Sequence, residues 1–140
     1  MIFLDTSVLV AIAQVTHSHH RPSLELWNGL GQRKTVVSTH TLAETYATLT
    51  SVTPSLRLTP QAALLTIDAF LIRLTPVSLS LEESMEALKR TAALGHMSGM
   101  IDDALHLACA CKVDAQQIFT WNARNFRSLA PDLASRIITP

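Results

Sequence analysis

Apolar positions along this chain alternate between short continuous runs and longer segments of helical period. That pattern predicts an α/β domain with a mostly parallel sheet. Met1-Ile2-Phe3-Leu4-Asp5 reads as a buried strand, and a helix follows from about Ser7 to Gln14. The polar stretch from Thr16 to Pro22 reads as a loop. A second helix runs through Leu24, Leu26, Trp27 and Leu30 to Gly31, which suits a C-cap. Lys34 to Ser38 is the next strand. Thr41 to Val52 is a helix that stops before Thr53-Pro54-Ser55. Another begins at Thr59-Pro60, with Thr as cap and Pro in the first turn, and reaches about Ile72. Pro76 to Leu79 is a short strand. Ser80-Leu81-Glu82-Glu83 has capping-box spacing and opens a helix that closes at Gly95. A helix over 100–112, a strand from Gln117 to Trp121 and a last strand from Arg136 to Thr139 complete the series. No repeat, low-complexity tract or linker interrupts it, so residues 1–140 are expected to form one domain.

Composition narrows the class. With 140 residues, 48% of them apolar, the chain can bury one real core and is not disordered. No apolar run approaches a membrane span, and the start lacks a signal peptide's basic flank and apolar centre. A cytoplasmic protein is therefore expected. Eleven Lys and Arg balance eleven Asp and Glu, for a net charge of zero. This argues against nucleic-acid wrapping by bulk electrostatics, while leaving room for a local basic rim. Cys109 and Cys111 lie two apart in a helix, point in different directions and cannot form a normal disulfide. They read as small apolar residues of the interior.

The candidate chemistry lies in carboxylates with apolar neighbours. Burying such groups is costly unless something positive shares the site. Asp5 falls where a buried strand gives way to a helix, at the sheet edge where open α/β folds bind ligands. It equally fits the N-cap of that helix. Glu44 completes the capping-box spacing Thr41-x-x-Glu44, yet it also sits on a helix that follows a strand and so reaches the same edge. Asp102 and Asp103 are a quarter-turn apart and cannot face one site equally well; either can complement the dipole of its helix. Their helix is apolar nearly all round, which implies burial between neighbours. Three acidic positions, each at a helix start, suit an oxygen-ligand site for Mg²⁺ or Mn²⁺. His17, His19 and His20 have no partners at ligand spacing and read as a solvated loop.

Four segments carry a family resemblance: I-F-L-D-T-S-V-L-V-A at the N-terminus, A-E-T in the third helix, I-D-D-A-L-H-L-A-C-A, and F-T-W-N-A-R-N-F. In this order and spacing they resemble the PIN domain, and most closely its VapC-type toxins, the ribonuclease halves of toxin–antitoxin pairs. The resemblance implies a three-layer α/β/α fold around a parallel sheet. It also implies a Mg²⁺- or Mn²⁺-dependent endoribonuclease. Carried over by position, Asp5 is the first acid, Glu44 the second and Asp103 the third, with Asp102 as an extra neighbour that becomes the ligand if the register shifts by one. Thr6 or Ser7 matches the small hydroxyl beside the first acid, and Thr120 and Asn122 match the segment after the last core strand. Asn122 stands where many relatives have a fourth acid, and Asn125 where Asp is frequent. One metal rather than two is the expectation that follows.

On this reading Asp5, Glu44 and Asp103 hold the metal, and Arg124, Arg127, Arg21, Arg33 and Lys34 are candidates for contacting RNA phosphates. The resemblance further implies a homodimer and a cognate VapB-like antitoxin whose tail enters a groove. Leu42, Tyr46, Leu49, Leu64, Leu65, Phe70 and Leu71 could line it, or could be core. The competing reading is a catalytically weak PIN-like domain that binds protein or RNA. A phosphatase using Asp5 as nucleophile fits poorly, because position 7 is serine where such enzymes place a second Asp.

Overall fold

The computed structural model describes residues 1–51 and 53–140. Its elements are β1 (Ile2–Leu4), α1 (Thr6–Ala13), α2 (His20–Gly29), β2 (Thr35–Ser38), α3 (Thr39–Ser51), α4 (Pro60–Leu71), β3 (Leu74–Val77), α5 (Leu81–Ala93), α6 (Met100–Lys112), β4 (Gln117–Phe119), α7 (Ala123–Leu129), a single 3₁₀ turn (Pro131–Leu133) and β5 (Ile137–Ile138). The strands form one all-parallel sheet in the order β3-β2-β1-β4-β5. After β1 the chain moves outward through β2 and β3, then returns to place β4 on the other side of β1. The sheet therefore has its topological switch point between β1 and β4, where a crevice opens beyond the carboxyl ends of the strands.

Side-chain alternation along short strands divides the interior into two layers. Phe3, Val36, Ile118 and Ile137 pack on one side of the sheet with Leu107 and Ala110 of α6 and Phe126 and Leu129 of α7. Leu4, Val37 and Phe119 face the other side, against Val8 and Leu9 of α1 and Phe70 of α4. Burial on both faces explains why the strands read as continuous apolar runs. The expected mixed α/β class with a parallel sheet is what the structure contains.

Register fixes the site. Phe3 pairs with Val36 and Leu4 with Phe119. Extended by one or two residues, this brings Asp5, Ser38 and Thr120 to one level, and the Asp5 N–H continues the ladder to the Phe119 carbonyl at 3.0 Å.

Several boundaries differ from the sequence expectation, each for a physical reason. The chain turns helical at His20, because Pro22 is tolerated in a first turn where its missing N–H has no helical partner. Gly31 follows α2 at φ +58°, the left-handed cap its position predicted. α3 begins at Thr39 and not Thr41, since Ser38 Oγ accepts the Thr41 N–H at 2.9 Å. The cap is thus Ser38, and Glu44 is released from the capping-box role. The expected end of that helix at Val52 lies outside the described residues. β3 starts two residues early and carries Pro76 inside it, acceptable because β3 is the sheet's edge. β4 stops at Phe119, short of Trp121. α7 had no sequence signal: it has seven residues and no side-chain cap. Cys109 is buried as expected, but Cys111 is exposed, the two being on different sides of α6.

Phe126 is fully buried between α7 and the sheet. Phe126→Ala should therefore cost about 3–5 kcal/mol of folding stability. Urea denaturation checks this through a lowered midpoint at unchanged slope.

Candidate functional site

A cavity of about 490 Å³ opens at the carboxyl ends of β1 and β4. Asp5, Thr6, Ser7, Glu44, Asp103, His106 and Asn122 line it, with His17, His19 and Trp121 at one side. The structure thus brings together Asp5, Glu44 and Asp103 from three separate elements, as the sequence led one to expect.

Asp5 is 2% exposed. It does cap α1: its Oδ2 accepts the Ser7 N–H at 3.3 Å. The same oxygen takes the Ser7 hydroxyl at 2.6 Å and the Thr120 hydroxyl at 2.8 Å. Cap and site residue are therefore not alternatives. Three donors fix one oxygen, and the second, Oδ1, lies 3.7 Å from His106 Nε2.

Glu44 Oε2 accepts the Thr6 hydroxyl at 2.7 Å and lies 2.5 Å from His106 Nε2. Of the two hydroxyls beside the first acid, Ser7 serves Asp5 and Thr6 serves Glu44. Burial opposes charge on Glu44, but the hydrogen bonds from His106 and Thr6 and the fields of His106 and His40 hold its carboxyl below the usual range.

Asp103 is buried, and its Oδ2 accepts from Asn125 Nδ2 at 3.2 Å. Burial pushes its carboxyl from the ordinary 3.8 up to about 6 against the pull of Asn125, and the negative charge of Asp5 adds to the rise. Asp102, one residue earlier, points elsewhere. It is half-exposed and its Oδ1 meets His40 Nε2 at 2.9 Å. The 100° step of an α-helix separates the adjacent acids, so Asp103 faces the sheet-edge cavity and Asp102 faces α3.

His106 was not singled out from the sequence, yet it is the hub. It is 1% exposed, with Nε2 on Glu44 and Nδ1 2.8 Å from Ser38 Oγ. Burial alone would depress its pKa; the Glu44 hydrogen bond and the fields of Asp5, Glu44 and Asp103 raise it instead. Its signal was present in the spacing: it follows Asp103 by three on one helix face. His40, four before Glu44 on α3, carries the same kind of signal.

Thr120 is buried on Asp5, and its Oγ1 also accepts the Asn122 N–H at 2.9 Å. Asn122 itself is exposed at the cavity. His17 and His19 belong to the cavity wall rather than to a solvated loop. The His19 ring stacks on Trp121 with centroids 3.8 Å apart and planes 8° from parallel. Desolvation lowers the His17 pKa, with His19 and His20 adding repulsion. Among the basic candidates, Arg127 binds the Ile137 carbonyl at 2.7 Å and Arg33 the Gly29 carbonyl at 2.9 Å. Arg21 pairs with Glu25. Arg124 and Lys34 are exposed.

The family model for the PIN domain matches residues 2–130. No curated protein matches the sequence. The fold is similar to VapC20 of Mycobacterium tuberculosis, a sarcin-ricin loop cleaving toxin, with a TM-score of 0.71 and 19% identity over 84% of this chain and 87% of that one. It is similar to DNA-bound VapBC of Salmonella typhimurium, with a TM-score of 0.70 and 20% identity over 99% of this chain and 96% of that one. A third similar structure is VapBC-1 of nontypeable Haemophilus influenzae, with a TM-score of 0.68 and 17% identity over 94% of each chain.

The Asp103 shift has a defined sign. A carboxyl whose pKa is raised in the folded state binds its proton more tightly there than in the unfolded chain. Its contribution to stability is then fully present below pH 3.8 and is lost as pH rises to about 6. Asp103→Asn should remove this loss. Urea unfolding across that window should show the variant gaining on the wild type as pH rises; parallel curves would contradict the shift.

Proposed function

Because this chain belongs to the PIN domain family, we propose that it is a metal-dependent endoribonuclease and the toxin of a VapBC-like toxin–antitoxin pair. One observation carries the reading. Asp5, Glu44 and Asp103 line a single cavity at the switch point of the sheet.

The residues fit a hard divalent cation. The set is three carboxylates with one oxygen of Asp5 held by protein donors and the other left toward the cavity. The Asp103 carboxyl is pushed up to about 6 chiefly by burial, and the charges of Asp5 and Glu44 add to the rise. Asp5, Glu44 and Asp103 would hold Mg²⁺ or Mn²⁺. Bound there, the cation would lower the pKa of the attacking water and offset charge developing on the phosphate in the transition state.

The chain's own groups do the rest. Ser7 and Thr120 fix the Asp5 carboxylate, and Thr6 and His106 fix that of Glu44. Asn125 orients Asp103, and a carboxylate that the cation leaves partly free would take the proton from the attacking water. Asn122, at the cavity, offers a neutral oxygen or amide to the substrate or its solvent. The exposed Arg124, two residues beyond Asn122, is the basic candidate for RNA phosphates, whereas Lys34 enters β2 at the opposite edge of the sheet.

The partner reading follows the similar VapBC structures: a VapB-like antitoxin and a homodimer of one-domain subunits acting in the cytoplasm. No helix among the described residues is long and apolar enough to cross a membrane. Of the residues considered for an antitoxin groove, Leu49 and Phe70 are core, whereas Leu64 and Leu65 stay exposed at 54% and 68%. The neutral Asn122 and Asn125 favour a second reading, a catalytically weak module that acts by binding. That module would bind RNA without cutting it.

Asp5→Asn keeps an acceptor for Ser7 and Thr120 while removing the charge. It should lower metal-dependent RNA cleavage by about a hundredfold or more and relieve growth inhibition. Mg²⁺ or Mn²⁺ at a hundred times Kd should stabilise the wild type by about 2.7 kcal/mol and the variant far less. Sequencing RNA ends after brief expression of both proteins reads the cleavage directly. Unchanged cleavage by a clean variant preparation would overturn the ribonuclease assignment.

A further inference from the structure

Outside the acidic cavity, a second constellation has formed on the far side of Glu44. One ligand atom each from His40, Glu44 and Asp102 lies within 4.8 Å of the other two. Among the described residues, no other group of His, Cys, Asp or Glu gathers this closely. We propose that His40, Glu44 and Asp102 form a second cation site, of the class that takes Mn²⁺ in preference to Mg²⁺, joined to the acidic cavity by the shared Glu44.

The argument starts from helix geometry. His40 and Glu44 are four apart on α3 and so share a face. Asp102 reaches them from the first turn of α6, where the step from Asp103 turns it away from the sheet edge. A surface His–Asp pair is worth little by itself and would account for two of these residues. Glu44 adds a second carboxylate beside that pair, and a cation among the three would offset both charges. Glu44 Oε2 is held by His106 and Thr6, which leaves Oε1 as its second acceptor.

Access and donor type agree with this assignment. The side chains of His40, Asp102 and Glu44 are 39%, 42% and 28% exposed, open to an ion from solvent yet fixed by their helices. Two carboxylate oxygens with one imidazole nitrogen suit Mn²⁺ and its later neighbours in the series. Mg²⁺ prefers oxygen alone and keeps its waters. A carboxylate shared between adjacent sites is the arrangement by which paired cations clamp a phosphodiester. The missing fourth acid at Asn122 is then not the end of the site's capacity, since a second ion has ligands on the opposite flank. Binding at His40 does not itself depend on the ribonuclease reading.

The test is calorimetric titration of the purified full-length protein with Mn²⁺ alone and Mg²⁺ alone, for wild type, H40A, D102N and D5N. Both His40 and Asp102 are half-exposed, and unchanged thermal unfolding of the apo variants confirms their fold. The wild type should take two equivalents of Mn²⁺ and one of Mg²⁺. H40A and D102N should each lose one Mn²⁺ equivalent, or bind it more weakly by about tenfold or more, and should keep the Mg²⁺ equivalent. D5N should lose the Mg²⁺ equivalent and keep the Mn²⁺ equivalent that requires His40, which separates this proposal from the acidic-site reading. Mn²⁺ binding in the wild type that survives either H40A or D102N unchanged in number and affinity would overturn it.

Discussion

Negative charge gathered at the open end of a parallel sheet is the constraint on which the rest of this structure depends. Asp5 and Asp103 are buried, and Glu44 lines the same cavity. Burial raises the energy of ionising Asp103, and the charges of Asp5 and Glu44 add to it. The protein answers with directed groups rather than with a lysine or arginine placed among the acids. Hydroxyls of Ser7 and Thr120 saturate one oxygen of Asp5, and Thr6 bonds Glu44. A buried imidazole, His106, lies against Asp5 and Glu44. That answer is weakest at Asp103, whose carboxyl is pushed up to about 6 by burial, with the charges of Asp5 and Glu44 adding to the rise.

The short strands serve this constraint. Three residues of β1 are enough, because β2 and β4 flank it and both faces are covered by helices. Their register, not their length, sets Asp5 beside Thr120 and Ser38. Ser38 then performs two tasks, capping α3 through Thr41 and bracing His106 Nδ1. The start of α3 and the orientation of the hub histidine are thus coupled through one hydroxyl.

This explains which parts were legible in the sequence. Asp5, Glu44 and Asp103 announced themselves because carboxylates are rare among apolar neighbours, and the α/β order followed from periodicity. Capping-box spacing was a reliable guide at Ser80 and a false one at Thr41. The difference is that Ser38, inside a strand, supplied the cap through tertiary placement. α7 escaped because seven residues give too little period to read. His106 and His40 escaped, as did the pairing of Asn125 with Asp103, because a polar residue's partner across the fold depends on register and helix rotation, which one sequence does not display. His17 and His19 had no ligand spacing along the chain, yet Trp121 brings His19 to the cavity by stacking.

The adjacent pair Asp102 and Asp103 shows how far rotation alone can divide chemistry. In the sequence they look redundant, and the only question was which one reached the site. In the fold a single helical step sends them to opposite flanks of Glu44, one to Asn125 and the acidic cavity, the other to His40. Slipping α6 by one residue would put Asp102 against the sheet edge and turn Asp103 away. It would also displace His106 from Glu44, since both acids and the histidine ride on the same helix. The packing of Leu107 and Ala110 against Phe3 and Ile118 resists that slip. The hydrophobic core therefore does more than stabilise the fold. By fixing the rotation of α6, it sends Asp103 to the acidic cavity and Asp102 to His40, with Glu44 between the two.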